Sequence, residues 1–180
     1  MKKPVIIAVV GGKSSGKTTT IEALTRELAK RGYKIAAVKH IPEKDFTIDQ
    51  REKDTWRFAQ SGAKTIISMA ANEVATIEKT NPKDFSLEKI LQKCKEDDII
   101  LLEGFRKLVS GKKGISKIVA VKSADEAEEA VKRFEPILAF TGPYSTKKMR
   151  LAIPYIDVLR NPEKIANLVE KVIDKKVESA

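Results

Sequence analysis

Six uninterrupted apolar residues, Val5–Val10, stand directly before two glycines and a run of small polar residues. An apolar run rich in β-branched residues predicts a strand buried on both faces, here Pro4–Val10, as parallel sheets require. Over Thr18–Arg31 the spacing becomes helical, with Ile21, Leu24 and Leu28 on one face and Gly32 just past the end. Tyr33–Val38 predicts a second strand, and strand, helix and strand together make a βαβ unit with parallel pairing. His40–Gln50 is polar and without periodicity. It is long for a connection, and such loops are often functional. Asp54–Ser61 predicts a short helix stopped by Gly62. Lys64–Met69 and Val74–Ile77 predict two strands joined by the polar turn Ala71-Asn72-Glu73, a hairpin inserted into the βα alternation. Ser86 can cap a helix reaching about Cys94. Three further strands follow at Ile99–Leu102, Ile118–Val121 and Ile137–Phe140, with an acidic-then-basic helix at Ala124–Arg133. Asn161-Pro162-Glu163 is a helix start made of a cap, an N1 proline and a first-turn acid. Ile165, Leu168, Val169, Val172 and Ile173 give that last helix its buried stripe. No repeat, low-complexity tract or interdomain linker interrupts the chain, so residues 1–180 are expected to form a single domain.

The segment after the first strand, Gly11-Gly12-Lys13-Ser14-Ser15-Gly16-Lys17-Thr18, satisfies the pattern G-x-x-x-x-G-K-[ST]. Glycines let such a loop bend so that successive N–H groups point at phosphate oxygens. The helix start near Gly16 adds partial positive charge. The expected binding residues are Gly12, Lys13, Ser14, Ser15, Gly16, Lys17, Thr18 and Thr19. Lys17 would neutralise the β and γ phosphates, Thr18 would ligate Mg²⁺ and Thr19 would reach the α-phosphate. The motif lies between a buried strand and an amphipathic helix, which is the context it requires. The fold class is therefore α/β: a P-loop NTPase with a mostly parallel sheet flanked by helices.

Mg²⁺ on a nucleotide usually meets a carboxylate opposite the threonine. Glu103 closes the apolar strand Ile99–Leu102, and ligands of open α/β sheets gather at the carboxyl ends of strands. A charge at a surfacing strand end is the plainer reading of the same residue. Asp45, Asp49 and Asp54 lie in or just after the long loop. Asp49 is the one expected to reach the ion and the γ-phosphate, as a switch segment does, and to take part in hydrolysis with Lys17. The plain alternatives are solvated aspartates and, for Asp54, a helix cap. His40, the only histidine, ends the second strand, and a lone histidine more often packs than catalyses. Trp56 is expected to pack its helix onto the sheet, and Cys94 to be an inert, partly buried thiol.

Composition narrows the class. Hydrophobic residues make up 42% and charged residues 33%, which is globular rather than disordered. Lys and Glu dominate the charge while Asn, Gln and Cys are scarce, a pattern that leans thermophilic. One cysteine excludes an internal disulfide and fits a reducing cytosol. The opening Met-Lys-Lys-Pro and its short apolar run do not make a signal peptide or a membrane span, so a cytoplasmic, soluble protein is expected. The formal charge of +10 favours an anionic partner. The excess gathers in Arg106–Lys117, with five basic residues and no acid, and in Lys147, Lys148 and Arg150. No aromatics interleave with these lysines, which argues against a nucleic-acid platform.

With these pieces placed, the chain resembles the molybdopterin-guanine dinucleotide biosynthesis protein B (MobB) family of GTP-binding P-loop proteins, over roughly residues 4–175. The resemblance rests on GGKSSGKTTTIEALTREL, GYKIAAVKH, the Asp45–Asp49 segment, KDTWRFAQSGA from Lys53 to Ala63, DIILLEGFRK from Asp98 to Lys107, and Lys117-Ile118. Departures accompany it. Ile41-Pro42-Glu43 stands where the family often has further histidines, Arg51-Glu52 replaces a Pro-Gly, Arg106 replaces a lysine, and Lys13 stands where a small polar residue is commoner. The resemblance implies a GTP- and Mg²⁺-dependent accessory role in the guanylylation step of molybdenum or tungsten cofactor assembly. It also implies feeble GTP hydrolysis, a guanylyltransferase partner (protein A) acting on molybdopterin, and a homodimer.

Two other readings compete. A small-molecule kinase would hold ATP in the P-loop and close the Arg106–Lys117 segment as a lid. A metal-centre maturation GTPase would need more histidine or cysteine ligands than one of each. No N-K-x-D guanine motif is present. Thr141-Gly142-Pro143 is where a base-reading loop could lie, so GTP over ATP rests on the resemblance alone.

Overall fold

The computed structural model describes residues 3–43, 45–81 and 86–178. Lys44 of the His40–Gln50 loop and Met1 and Lys2 of the opening tetrapeptide lie outside the described residues. The chain divides into two compact units, Met1–His40 with Leu91–Ala180, and Ile41–Ile90.

The first unit contains five parallel strands in the order β2-β5-β1-β6-β7: β1 Val5–Gly11, β2 Ile35–Lys39, β5 Ile99–Glu103, β6 Ser116–Ala120 and β7 Ile137–Thr141. β1 lies at the centre, which explains its unbroken apolar run: Ile7 to Val10 have no exposed surface. Both faces are covered, so alternation gives way to continuous hydrophobicity. Helix α1, Lys17–Lys30, and the last helix α6, Pro162–Glu178, bury Leu24, Leu28, Ile165 and Val169 in one cluster with Ile7, Val9 and Leu101. Arg31 joins these two helices at the surface, pairing with Glu27 at 2.8 Å and Glu170 at 2.6 Å. Helix α5, Ala124–Arg133, starts on Ser123, whose Oγ accepts from the N–H of Glu126. It buries Ala127 and Ala130.

The second unit contains helix α2, Asp54–Gln60, and an antiparallel hairpin of β3 Thr65–Met69 and β4 Val74–Glu78. Helix α3, Leu87–Lys93, begins in this unit and ends in the first. The hairpin has the expected place and turn, with the N–H of Ala70 donating to the Glu73 carbonyl. Trp56 is half-buried, and no residue of α2 is fully buried: seven residues of mostly polar helix carry no apolar stripe. Lys53 occupies the N-cap position of α2, so Asp54 is a first-turn acid rather than the cap.

The basic stretch Arg106–Lys117 is largely folded, which contradicts its use as a lid. Arg106–Val109 forms a short helix, α4, Val109 and Ile115 are buried, and Ser116 and Lys117 open β6. Lys117 has no exposed surface, and its Nζ donates to the carbonyls of Lys112 and Glu135 at 2.6 Å each. Burial pulls its pKa below the ordinary lysine value, while the Glu135 carboxylate works in the opposite direction. Between the lowered folded value and the ordinary one, the unfolded chain holds more protons, so this residue makes stability rise with pH through that interval. Lys117→Ala leaves two carbonyls without their donor and is expected to cost about 3 kcal/mol. Lys117→Met should cost less and abolish the rise with pH. Denaturant unfolding at neutral and alkaline pH measures both, and an alanine variant as stable as the parent contradicts the assignment.

Candidate functional site

The parallel order brings the carboxyl ends of β5, β1 and β6 side by side, where an open α/β sheet binds its ligands. β1 ends at Gly11, the glycine-rich turn follows, and α1 begins at Lys17. The turn lies tight against β6: a Cβ on Gly11 would sit 2.3 Å from the Ala120 carbonyl oxygen. Ser15 is buried and its Oγ donates to the Gly12 carbonyl at 3.0 Å. The α1 N-terminus has no side-chain cap and no acid in its first turn. Its first N–H groups have no intrahelical acceptor, so the helix start keeps its capacity for an anion. Lys17 curls back to the Gly12 carbonyl at 2.5 Å. Its pKa is lowered, first by burial and further by Lys39, Arg106 and Lys122, against a raising pull from Glu103.

The pairing of β1 with β5 sets Val9 opposite Glu103. Across this register the Thr18 Oγ1 donates to both Glu103 carboxylate oxygens at 3.1 Å, and Lys39 Nζ stands 3.3 Å from Oε1. The Glu103 side chain is only 12% exposed, so its charge is held in place rather than solvated. One hydroxyl and one carboxylate at this distance are hard oxygen donors of the kind that would fit Mg²⁺. Among the described residues no group of three or more His, Cys, Asp or Glu is arranged to hold a metal alone.

The other expected site residues are distributed as follows. Gly12, Lys13, Ser14, Gly16 and Thr19 all lie in the turn or the first turn of α1. Asp49 belongs to the Ile41–Ile90 unit. There its Oδ1 accepts from Thr55 Oγ1 at 2.7 Å, while Oδ2 is buried without a partner. Asp45 is exposed, and Asp54 pairs loosely with Arg57 at 3.7 Å. His40 packs: its ring centroid is 5.3 Å from that of Phe105, and its N–H donates to the Glu103 carbonyl. Burial raises the Cys94 thiol pKa, with a further push from Asp97, as suits an inert thiol.

Sequence reading missed the cations gathered around Lys17. Lys39, Arg106 and Lys122 each follow or end a strand on the same edge of the sheet, a shared position that only the strand order reveals. Arg106 also lines a cavity of about 110 Å³ behind Gly11 and Gly12, with its Nε buried and unpartnered. The turn after β7 completes the rim. Gly142 has φ +99°, its carbonyl accepts from the Tyr155 hydroxyl at 2.7 Å, and the N–H of Tyr144 donates to the Val121 carbonyl. A Cβ on Gly142 would come within 2.8 Å of the carbonyl oxygens of both Ser15 and Val121. Thr141 and Thr146, at either end of this turn, keep buried hydroxyls without partners.

Comparison with known proteins gives a consistent result. The family described as "Molybdopterin guanine dinucleotide synthesis protein B" matches residues 6–142. A putative molybdopterin-guanine dinucleotide biosynthesis adapter protein of Methanocaldococcus jannaschii is 36% identical over 125 residues, 68% of this chain and 50% of that one. The molybdopterin-guanine dinucleotide biosynthesis adapter protein of Haemophilus influenzae is 32% identical over 103 residues, 56% of this chain and 57% of that one. The chain thus spans about half the length of the curated relatives it matches. A crystal structure of molybdopterin-guanine biosynthesis protein B superposes with a TM-score of 0.72 at 25% identity, covering 94% of this chain and 99% of that one. The Bacillus subtilis MobB structure superposes at 0.71 with 20% identity, over 91% of this chain and 97% of that one, and bears on the fold alone. These structures share the P-loop α/β fold with a mostly parallel sheet.

Replacing Gly142 tests whether the turn after β7 shapes the phosphate loop. Gly142→Ala is expected to weaken Mg²⁺–nucleotide affinity by about tenfold through displaced backbone, with no functional group removed. Calorimetric titration reads it, and unchanged affinity would show that the contact with Ser15 is passive.

Proposed function

This chain belongs to the molybdopterin guanine dinucleotide synthesis protein B family, and from that premise we propose that it is a GTP-binding accessory protein for the guanylylation of molybdopterin. The observation that supports the reading is the Thr18–Glu103 pair at the mouth of the phosphate loop, a hydroxyl and a carboxylate 3.1 Å apart whose oxygens would suit one metal ion. In this reading residues 1–180 act as one nucleotide-binding domain with the Ile41–Ile90 unit as its insertion. The N–H groups of Gly12 to Gly16 and the start of α1 cradle the phosphates. Lys17 leaves the Gly12 carbonyl to neutralise the β and γ phosphates, and its lowered pKa rises again as it meets them. Thr18 and Glu103 would hold Mg²⁺, which would supply charge neutralisation for the phosphates. Thr19 lies toward the α-phosphate.

Asp49 is assigned to hydrolysis and to the metal through its unpartnered carboxylate oxygen, which an isolated solvated aspartate would not leave buried. Hydrolysis is slow in this reading, because it depends on a carboxylate carried by the insertion rather than on a base fixed at a strand end. The product is an assembled complex with a guanylyltransferase (protein A) and molybdopterin rather than a turned-over metabolite. Among the described residues no helix is long and apolar enough to cross a membrane, and the assigned compartment is the cytoplasm. The kinase alternative loses its lid, because Lys117, Ile115 and Val109 anchor the segment it needs.

A homodimer completes the proposal. One face of the hairpin carries Ile67, Met69 and Val74, which are 59%, 79% and 64% exposed. A two-stranded sheet is marginal alone, and an apolar patch of this kind is costly to leave in water. A second copy presenting the same face would cover it isologously.

Two experiments test these assignments. Competition binding with GTP and ATP should favour GTP, and Lys17→Ala in a folded protein should lower GTP affinity by about 100-fold. Equal affinity, or rapid ATP-dependent phosphorylation of a small acceptor, would return the kinase reading. The pair Ile67→Lys and Val74→Lys should convert the dimer to monomer in sedimentation experiments while nucleotide affinity persists. A parent protein that sediments as a monomer at all concentrations rules the dimer out.

A further inference from the structure

Glu103 is the most constrained charge at the site. Its carboxylate is nearly buried, and such a charge needs a partner of opposite sign. The ion pair that supplies one comes from Lys39, at 3.3 Å, while Lys17 is engaged with the Gly12 carbonyl at 2.5 Å. Lys39 therefore stands on the same carboxylate that the Mg²⁺ assignment requires. An ammonium and a divalent cation cannot share it at little cost: like charges at this separation repel, and the ion demands the oxygen as a ligand.

Lys39 is also free to leave. Its side chain is 56% exposed, so the ammonium can turn without disturbing the core. It already lies close enough to Lys17 to depress that residue's pKa, which places it in the field that would meet the phosphates. Its backbone is fixed where the side chain is not. Lys39 pairs with Glu103 in the β2–β5 register, and the next residue, His40, is held by the Glu103 carbonyl and the Phe105 ring.

We propose that Lys39 is the residue by which this site distinguishes a nucleoside triphosphate from a diphosphate. With no metal, or with a diphosphate, its ammonium stays on Glu103 and competes with the divalent cation. When a triphosphate brings Mg²⁺ to Glu103 and Thr18, the displaced ammonium finds a new partner in the terminal phosphate. A diphosphate offers no such group, so displacement is uncompensated. Lys39 thus favours the triphosphate twice, by its ion pair with the terminal phosphate and by a competition that the diphosphate cannot relieve. The change occurs at the end of β2, two residues before Ile41, where the second unit begins. This inference rests on the nucleotide reading above and gives that site its preference among phosphate states.

Lys39→Met keeps the stem and removes the charge. Fluorescent GTP and GDP are titrated onto the variant and the parent, each across a Mg²⁺ series. In the variant GTP affinity is expected to fall by about tenfold, the scale of one charge-assisted contact. GDP affinity should hold or rise, and half-maximal GDP binding should need several-fold less Mg²⁺. Lys39→Arg, which keeps the charge, should restore most of the GTP preference. If Lys39→Met weakens GTP and GDP by the same factor, or leaves the Mg²⁺ requirement for GDP unchanged, Lys39 is only part of a diffuse positive field and the inference fails. Failure of the unaltered protein to bind either nucleotide would instead sink the functional reading and this inference with it.

Discussion

One hydrogen bond depends on nearly every level of this structure. Thr18 and Glu103 are 85 residues apart in sequence, yet the hydroxyl meets both carboxylate oxygens at 3.1 Å. That requires β5 to lie beside β1 in parallel with Val9 opposite Glu103. It requires the chain after α1 to pass over one strand position, so that β2 lies outside β5. It also requires the glycine turn to carry α1 back across the sheet within a few residues. A one-residue slip of β5 would turn Glu103 to the other face of the sheet. The zero exposure of Ile99 to Leu102, which pins that register, therefore has a chemical consequence at the strand's end.

The fold is largely readable from sequence because its signals are continuous. β1 and β5 are fully buried parallel strands and read as unbroken apolar runs. α5 has a serine cap, first-turn acids and basic residues at its end, and its expected bounds agree with the structure. β6 begins two residues earlier than its apolar pattern predicts, because Lys117 looks like the end of a basic loop. Nothing in a lone lysine announces that two carbonyls, one five and one 18 residues away, will satisfy it. The four-residue helix α4 is shorter than any periodicity can reveal. The phosphate loop and Glu103 are legible because a motif and a strand end carry them. Lys39, Arg106 and Lys122 are not, since they converge only when strands far apart in sequence are aligned. Asp49 stands out in sequence only by its place in a long loop, and its half-satisfied carboxylate is a fact that only coordinates supply.

The net charge of +10 acquires a location from this arrangement. Part of it goes to surface pairs, such as Arg133 with Glu129 at 3.5 Å, which contribute little each. The cations near Lys17 are different, because they crowd one another. Burial and three neighbouring positive groups depress the Lys17 pKa, and one glutamate only partly offsets them. Positive groups gathered in this way make a field that favours an anion. Beside these cations the Glu103 carboxylate is met by Thr18 at 3.1 Å and by Lys39 at 3.3 Å.

The two units differ in how much core they hold, and the larger share lies in the first. Its core residues reach zero exposure from β1 to α6, and its site is built from strand ends and a helix start, which hold atoms within fractions of an ångström. The Ile41–Ile90 unit has little core. Ile66 and Ile90 are its buried apolar residues among those described, while Phe46, Ile48, Phe58, Ile67, Met69 and Val74 stand exposed. A segment with few buried contacts and much exposed apolar surface gains stability mainly from what it binds. Glu103, by contrast, is fixed by the register of β5 beside β1, whereas Asp49 lies in the unit with little core, where one of its carboxylate oxygens is buried without a partner.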